Sequence, residues 1–243
     1  MAQQSDITFQ IFDDHEQMSM AAANFMFQCV LDNPGMLLCA ASGNSPAQAY
    51  GYLAGRIAGS KWRSPIKVMT LDEWVGLPQE SRFSSALQIN NQLIGPLDLK
   101  DCFLFRGDYK QEAEEIGRAE AYLRSHGPVE LCVLGIGTNG HLGFNEPGGD
   151  LQAGIHTIRL TEESRGHTMV AEASFKPEYG ITLGVRDILQ SKKILLLVSG
   201  AHKRAIMERF MTGRISTHLP ASFLWLHPNV TCMCDKAAMP RGE

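Results

Sequence analysis

The 243-residue sequence has no apolar run that approaches the roughly 20 residues needed for a membrane-spanning helix. It also has no run rich in lysine or arginine, and its net charge is −4. Nucleic-acid-binding domains usually carry a basic patch, so this charge pattern argues against a nucleic-acid partner. The polar first residues give no sign of an export signal. We therefore expect a cytoplasmic protein that binds neither nucleic acid nor a membrane.

Paired metal-ligand spacings are also missing from the sequence. Of its six cysteines, only Cys232 and Cys234 are closely spaced, and no second pair accompanies them. The remaining cysteines mostly sit in apolar segments, where a free cysteine behaves as a small hydrophobic residue. We therefore expect no metal site.

Strand and helix patterns alternate along the chain, without internal repeats or low-complexity segments. The predicted strands cover 36–41, 67–71, 129–136, 181–185, 193–199, 222–226 and 231–234. The predicted helices cover 14–31, 45–57, 85–94, 111–126, 186–190 and 201–211, with a helix-leaning stretch at 161–175. Strands separated by helix-length segments imply parallel crossovers. We predict an α/β fold in residues 1–243 as a single domain, a Rossmann-like three-layer sandwich with a mostly parallel central sheet and helices on both faces.

A glycine-dense turn follows the strand predicted at 129–136. Gly135, Gly137 and Gly140 allow a sharp turn and a close approach to a ligand. His141 comes next, and Glu146 lies five residues further on. An imidazole oriented by a carboxylate can act as a general acid or base near neutral pH. A structural turn with a surface histidine is the alternative for this motif taken alone.

Two other segments can hold an anion. Ser42, Gly43, Asn44 and Ser45 lie between a strand and a helix, where backbone N–H groups and hydroxyls form a cradle. The segment lacks the lysine of a nucleotide-binding loop, so a sugar phosphate suits it better than ATP. Lys203 falls in the first turn of a helix, where the helix dipole disfavours a cation, and a bound anion would explain this placement. A capped turn and a surface lysine are the structural alternatives.

Asp72 and Glu73 directly follow the strand predicted at 67–71. Neighbouring residues of a strand point in opposite directions, so only one of these carboxylates can face a site at the strand end. A solvated loop would also explain the pair. Ligands of open α/β sheets bind beyond the carboxyl ends of the strands, which is where these motifs lie.

Taken together, the motifs resemble the family of glucosamine-6-phosphate deaminases (isomerases), and their wording is most similar to its galactosamine-6-phosphate isomerase branch. The motifs in family order are Ser42-Gly43-Asn44-Ser45-Pro46, Leu71-Asp72-Glu73-Trp74, the run from Gly135 to Pro147, Ile181-Thr182-Leu183-Gly184, Gly200 with Lys203, and Ala221-Ser222-Phe223-Leu224-Trp225. The resemblance covers nearly the whole chain.

The resemblance implies conversion of a hexosamine 6-phosphate into a ketohexose 6-phosphate and ammonia, without a cofactor. Galactosamine 6-phosphate, giving tagatose 6-phosphate, is the preferred substrate, and glucosamine 6-phosphate, giving fructose 6-phosphate, is the next. His141 would protonate the ring oxygen while Glu146 orients it, and Asp72 would move the C2 proton to C1. The segment Ser42–Ser45 and Lys203 would bind the phosphate.

The chain departs from the family pattern in two places. Asn139 stands where the best-studied members have aspartate, so ring opening would depend more on Glu146. The family also has an arginine in the region of Met169 and Val170, and Arg165 or Lys176 would have to replace it.

Two other functions remain open alternatives. A 6-phosphogluconolactonase shares the expected fold, but its motif continues into Ser-Leu-Phe-Pro, whereas this chain has Phe144-Asn145-Glu146-Pro147. A non-catalytic sugar-phosphate sensor is the third hypothesis, although such sensors usually carry a DNA-binding helix-turn-helix. The expected partner is a small sugar phosphate, and association into a homo-oligomer is left open.

Overall fold

The structure is a computed structural model that describes residues 7–60, 66–170, 172, 173 and 175–241. The strands are β1 (Thr8–Phe12), β2 (Leu37–Ala40), β3 (Lys67–Thr70), β4 (Asp72–Trp74), β5 (Cys102–Phe103), β6 (Leu131–Gly135), β7 (His156–Arg159), β8 (Tyr179–Thr182), β9 (Lys193–Val198) and β10 (Val230–Asp235). The α-helices are α1 (His15–Asp32), α2 (Asn44–Gly59), α3 (Ser85–Ile89), α4 (Gly95–Leu97), α5 (Glu112–His126), α6 (Glu162–Arg165), α7 (Val185–Leu189) and α8 (Arg204–Met211). A π-helical turn, Asn90–Ile94, joins α3 to α4.

Within the described ranges, seven strands form the central sheet in the order β1-β10-β9-β6-β2-β3-β5. All of the strand pairs in this sheet are parallel. Parallel sheets are covered on both faces, which is why β2 and β9 are almost continuously apolar. The predicted α/β fold with a mostly parallel central sheet is confirmed.

Helices cover both faces of this sheet. One face packs against α1 and α2, through a cluster that includes Met18, Met26 and Leu53. The opposite face packs against α5 and α8, through a cluster that includes Ala119 and Phe210. The buried apolar area on the two faces supplies the main favourable free energy for this arrangement.

A small antiparallel sheet lies beside the central sheet, and the sequence did not predict it. Among the described residues it contains β4, β8 and β7, in that order. The strand predicted at 181–185 corresponds to β8, which ends at Thr182 and pairs antiparallel with Asp72–Trp74. The alternative of a solvated loop at Asp72 and Glu73 is therefore excluded, because β4 is a buried strand.

Two other element predictions are wrong. The segment predicted as a strand at 222–226 is a 3₁₀ helix, Pro220–Leu226. Pro220 favours the start of a helical turn, and the Trp225 indole N–H donates to the Phe210 carbonyl at 2.9 Å, which fixes the turn on α8. The stretch 161–175 is helical only at Glu162–Arg165 and Thr168–Val170, and its residues 171 and 174 lie outside the described residues.

The topology brings four loops to one edge of the sheet. Strands β9, β6, β2 and β3 are neighbours, and parallel strands end on the same side. The segments that follow them are those that carry Ser42–Ser45, Asp72, His141 and Lys203. None of the described helices is both long enough and apolar enough to cross a lipid bilayer.

Candidate active site

A cavity lies at this edge of the sheet and contains most of the residues predicted from the sequence. Its lining includes Ser42, Gly43, Asn44, Ser45, Asp72, His141 and Lys203. Glu146 and Asn139 are not in the lining: Glu146 lies next to Nδ1 of the His141 ring, and Asn139 bonds to Glu146 and to the backbone N–H of His141. The fold thus brings the predicted groups together from four separate loops.

The glycine turn is shaped around the His141 imidazole. A Cβ atom at Gly137 would lie 2.5 Å from the Cε1 and Nε2 atoms of that ring, which no side chain tolerates. Gly140 has φ of +97°, a left-handed conformation that only glycine adopts readily. The backbone closes through Gly137 N–H donating to the His141 carbonyl at 3.0 Å. The glycines therefore let the imidazole lie flat against the turn.

Glu146 orients His141 from behind. The Nδ1 atom of His141 lies 3.5 Å from Oε2 of Glu146 and 3.2 Å from the hydroxyl of Ser164. Burial by itself would raise the pKa of Glu146, but the hydrogen bond and charge of His141 outweigh it, with help from Ser164 and Asn139, and the pKa is lowered. Glu146 is therefore ionised and favours a proton on Nδ1 of His141.

Asn139 holds both members of this pair. Its amide Nδ2 donates to Oε2 of Glu146 at 3.0 Å, and its Oδ1 accepts the backbone N–H of His141 at 3.1 Å. Thr161 also donates its hydroxyl to Oε2 of Glu146, at 3.2 Å. An aspartate at this position would have no donor for Glu146. The amide is thus matched to an ionised Glu146.

Asp72 also lines the cavity and is nearly buried, at 8% exposed. Burial and the neighbouring Glu73 carboxylate raise the pKa of Asp72 to about 7, although the hydroxyl of Ser85 opposes the rise. That hydroxyl lies 3.4 Å from Oδ1 of Asp72 and 2.9 Å from the hydroxyl of Ser42. A carboxylate with a pKa near neutrality can both accept and return a proton.

Glu73 points away from the cavity, as strand alternation predicts. Its two oxygens accept the backbone N–H groups of Trp74, Ser85 and Ala86 at 2.8, 3.0 and 2.8 Å. The hydroxyl of Ser84 donates to it at 2.7 Å. Ser84 is the N-cap of α3, and Glu73 adds acceptors for the N–H groups of the first two residues of that helix, which ties the start of α3 to β4.

The segment Ser42–Ser45 forms the start of α2. The N-cap of this helix is Gly43, with φ of +106°, so the helix begins at Asn44, one residue before the start predicted at 45. Among the described residues no side-chain hydrogen bond caps this end of the helix, and Gly43, Asn44 and Ser45 line the cavity. A helix start of this kind suits an anion.

Lys203 reaches the cavity from a 3₁₀ turn, Ala201–Lys203, that precedes α8. Its Nζ donates to the carbonyl of Ile136 at 2.7 Å, and burial lowers its pKa. The turn is fixed by Asp235, whose carboxylate accepts the backbone N–H of Gly200 at 3.0 Å. Lys203 thus lies at a helix start, where the helix dipole disfavours a cation, and its side chain lines the cavity.

Sequence reasoning missed Ser85, Thr161, Ser164 and His167, which all contact or line the site. Only the hydroxyl-rich composition of their segments could have indicated them. The two basic residues considered in place of the family's arginine do not line the cavity. Lys176 instead donates its Nζ to the carbonyl of Val170 at 2.8 Å.

Comparison with known proteins shows one family over most of the chain. The family model of glucosamine-6-phosphate isomerases/6-phosphogluconolactonase matches residues 13–233. The Escherichia coli (strain K12) protein named Putative deaminase AgaI is 36% identical over 231 residues, covering 94% of this chain and 92% of that protein. A glucosamine-6-phosphate deaminase from Halalkalibacterium halodurans is 33% identical over 236 residues, covering 95% of this chain and 94% of the relative.

Solved structures show the same fold. A monomeric glucosamine-6-phosphate deaminase of the NagB superfamily has a TM-score of 0.90 and 31% identity, over 96% of this chain and 98% of that one. A 6-phosphogluconolactonase from Shewanella baltica has a TM-score of 0.76 and 16% identity, over 96% of this chain and 99% of that one. The second similarity extends to the fold alone.

Proposed function

The chain belongs to the family of glucosamine-6-phosphate isomerases and 6-phosphogluconolactonases, and from this premise we propose that it is a hexosamine-6-phosphate deaminase. The observation that carries the proposal is that Asp72 and His141 line one cavity, with Glu146 3.5 Å from Nδ1 of His141. The cradle at Ser42–Ser45 and Lys203 accounts for the phosphate.

Ring opening is the first step, and His141 performs it. The imidazole gives a proton to the ring oxygen and takes up the proton of the anomeric hydroxyl, and the bond between C1 and the ring oxygen breaks, which yields the open-chain aldehyde. Ionised Glu146 stabilises the charged form of the imidazole, and Asn139 keeps Glu146 in place. His141 then gives a proton to the oxygen at C1 during the next step.

Proton transfer between C2 and C1 is the second step, and Asp72 performs it. As a carboxylate it removes the proton at C2, which gives an enolamine, and it returns that proton to C1. The product carries an imine at C2, and addition of water there releases ammonia and leaves the ketone. One carboxylate can serve both carbons because a substrate held by its phosphate keeps them within reach.

Galactosamine 6-phosphate is the first candidate substrate, and glucosamine 6-phosphate is the second. The residues of the Asp72-Glu73-Trp74 motif, which resemble the galactosamine-6-phosphate branch, support galactosamine 6-phosphate. The relatives named as glucosamine-6-phosphate deaminases support glucosamine 6-phosphate. The products would be tagatose 6-phosphate and fructose 6-phosphate, respectively. The two substrates differ only in configuration at C4, so pocket contacts to that hydroxyl would decide between them.

A lactone-hydrolysing activity fits the site less well. It needs a histidine that activates water, but it has no use for a base that removes a proton from carbon. Asp72 is buried in the wall with a pKa near 7, which suits proton transfer from carbon. A sensor without catalysis would need neither group in this state.

The test is ammonia release from a panel of galactosamine, glucosamine and mannosamine 6-phosphates, with 6-phosphogluconolactone and the unphosphorylated amino sugars as comparators. We expect ammonia from at least one phosphorylated amino sugar and none from the same preparation carrying Asp72→Asn. Lactone hydrolysis without ammonia release would replace the proposal with the hydrolase. Sugar-phosphate binding without any turnover would replace it with the sensor.

A further inference from the structure

His167 stands where two connected openings meet. It lines the cavity that contains Asp72, and it also lines a wider opening beside it. Both openings include Asn44, Ser45 and Lys203, the groups assigned to the phosphate. An imidazole at this junction therefore lies on the phosphate side of the substrate.

The tautomer of His167 is fixed by the backbone. The N–H of Met169 donates to Nδ1 of His167 at 3.2 Å, so Nδ1 carries a lone pair and the proton is on Nε2. Nε2 makes no hydrogen bond to any residue in the described part of the chain. The Trp74 ring lies beside the imidazole, with 6.3 Å between the ring centroids. The half-buried ring is thus held in place, while its Nε2–H donor has no partner among the residues that the structure describes.

The surroundings keep this imidazole neutral and favour an anion next to it. Burial lowers the pKa of His167, and the nearby basic groups of His141, Lys203 and His202 lower it further. The other titratable groups that line the two openings are His15, Asp72 and Glu163. Lys203 is the only lysine or arginine in the linings of the two openings, so an anion bound at its ammonium lies in the space that His167 also lines.

We propose, as an extension of the function proposed above, that His167 binds the substrate phosphate by donating its Nε2–H to a phosphate oxygen beside the Lys203 ammonium. Lys203 supplies the positive charge, and the hydrogen bonds from His167 and from the first N–H groups of α2 orient the phosphate. The bond needs no protonation of His167, because the Met169 N–H occupies the position that a second ring proton would need.

The test compares His167→Ala with His167→Gln, whose amide nitrogen can replace the Nε2–H donor without titrating. His126→Gln is the matched control, because His126 ends α5, just before the start of β6, and lines neither opening. Sulfate is the probe for calorimetry, because it stays a dianion between pH 6 and pH 8 and needs no turnover. KM and kcat for the active hexosamine 6-phosphate are measured in parallel.

We expect His167→Ala to weaken sulfate binding and raise KM by about tenfold or more, the lower end for a lost hydrogen bond to a charged group, with kcat little changed. His167→Gln should stay within about threefold of the parent at every pH, and His126→Gln should match the parent. Equal sulfate affinity in His167→Ala and the parent would overturn the proposal. So would a loss confined to kcat, which would place His167 at the reacting carbons.

A parent affinity for sulfate that rises on acidification while that of His167→Gln does not would also overturn it, since the imidazolium would then be the ligand. The sulfate measurements separate this proposal from the proposed function. If no hexosamine 6-phosphate yields ammonia, the deaminase assignment fails while the sulfate comparison still decides the role of His167. If ammonia is released and the variants all bind alike, only His167 is removed from the site.

Discussion

Two parts of the cavity lining, the β4 wall with Asp72 and the histidine wall with His141, each depend on a buried carboxylate, and the surroundings of these carboxylates differ. At the β4 wall the carboxylate is Asp72 itself, which has a second carboxylate next to it and, among the described residues, a long contact to Ser85, at 3.4 Å. At the histidine wall it is Glu146, which lies outside the lining, accepts hydrogen bonds from Asn139 and Thr161 and faces His141. The pKa of Asp72 is raised to about 7, whereas the pKa of Glu146 is lowered.

This difference assigns two tasks to two groups of the same chemistry. A carboxylate whose charged form is poorly solvated is a strong base, and one whose charged form is fully bonded is a stable counter-ion. Asp72 is thus suited to move a proton, and Glu146 is suited to stay charged beside His141. Substitutions that change one of these two carboxylates or its neighbours at a time test this difference.

The largest effect should come from Asp72→Asn. An amide cannot accept the C2 proton, so kcat should fall by at least about 100-fold, the low end for loss of a general base. Substrate binding should persist, because the phosphate cradle is unchanged. Deuterium incorporation at C1 of the product in heavy water gives the direct measurement. Undiminished turnover would assign the base to another group.

A smaller effect should come from Glu146→Gln. The neutral amide no longer stabilises the charged imidazole of His141, so ring opening should slow and kcat should fall by about 10- to 100-fold. Substrate supplied in its open-chain form should partly restore the rate, whereas Asp72→Asn should gain nothing from it. Equal rescue of both variants would show that ring opening and proton transfer are not assigned separately to the two carboxylates.

The pH profile of the parent should show the raised pKa of Asp72. Because the base must be ionised, kcat/KM should decrease about tenfold per pH unit below about 7, with a single proton taken up. The measurement is an initial-rate series from pH 5 to pH 8, with enzyme stability checked at each end. A flat profile down to pH 5 would contradict the pKa of about 7 and its origin in burial.

The same two amide substitutions should change stability in opposite directions. The folded pKa of Asp72, about 7, lies above the ordinary value of 3.8, so its stabilising contribution is complete below pH 3.8 and is lost as the pH rises to 7. Asp72→Asn should therefore raise Tm most above pH 7. The pKa of Glu146 is lowered from 4.5, so its contribution is present above pH 4.5 and is lost in acid.

Glu146→Gln should accordingly lower Tm at pH 7, and the deficit should shrink as the pH falls. We expect changes of about 1–3 kcal/mol in each case, the scale of an altered hydrogen bond to a buried charge. Thermal unfolding at pH 5 and pH 8 measures both variants with the parent as control. A stability change of the same sign in both would contradict the contrast between the two walls.

The smallest effect should come from Asn139→Asp. The new carboxylate would lie about 3 Å from Oε2 of Glu146, where Asn139 now donates a hydrogen bond. Two carboxylates at this separation disfavour joint ionisation, so His141 should lose part of its counter-ion and turnover should fall by about 3- to 10-fold. A faster variant would instead mean that ring opening in the parent is limited by the missing negative charge at this position.

Most of the central strands and the helices were predictable, because local hydrophobic patterns in the sequence indicate them. The strands predicted at 129–136 and 193–199 are found as Leu131–Gly135 and Lys193–Val198. Central parallel strands are buried on both faces and so appear as continuous apolar runs bounded by glycine. The edge strand Thr8–Phe12 was missed, since its side chains are largely exposed and give no such run.

Local patterns did not predict the role of the segment between β7 and β8. Thr161 from this segment contacts Glu146, Ser164 contacts His141, and His167 lies in the lining beside them. These polar residues follow no period of a helix or strand, so nothing local distinguishes them from an ordinary surface loop. Their roles depend on which distant residues they meet.

The sequence by itself determined which chemical groups stand at the strand ends, and the opposite directions of Asp72 and Glu73, because strand geometry alternates by residue. It also determined that Gly137 and Gly140 precede His141. Only the tertiary structure decided the charge states, since a pKa depends on desolvation and on neighbours that come from remote segments. Burial beside Glu73 makes Asp72 a base, and hydrogen bonds from Asn139 and Thr161 make Glu146 a counter-ion.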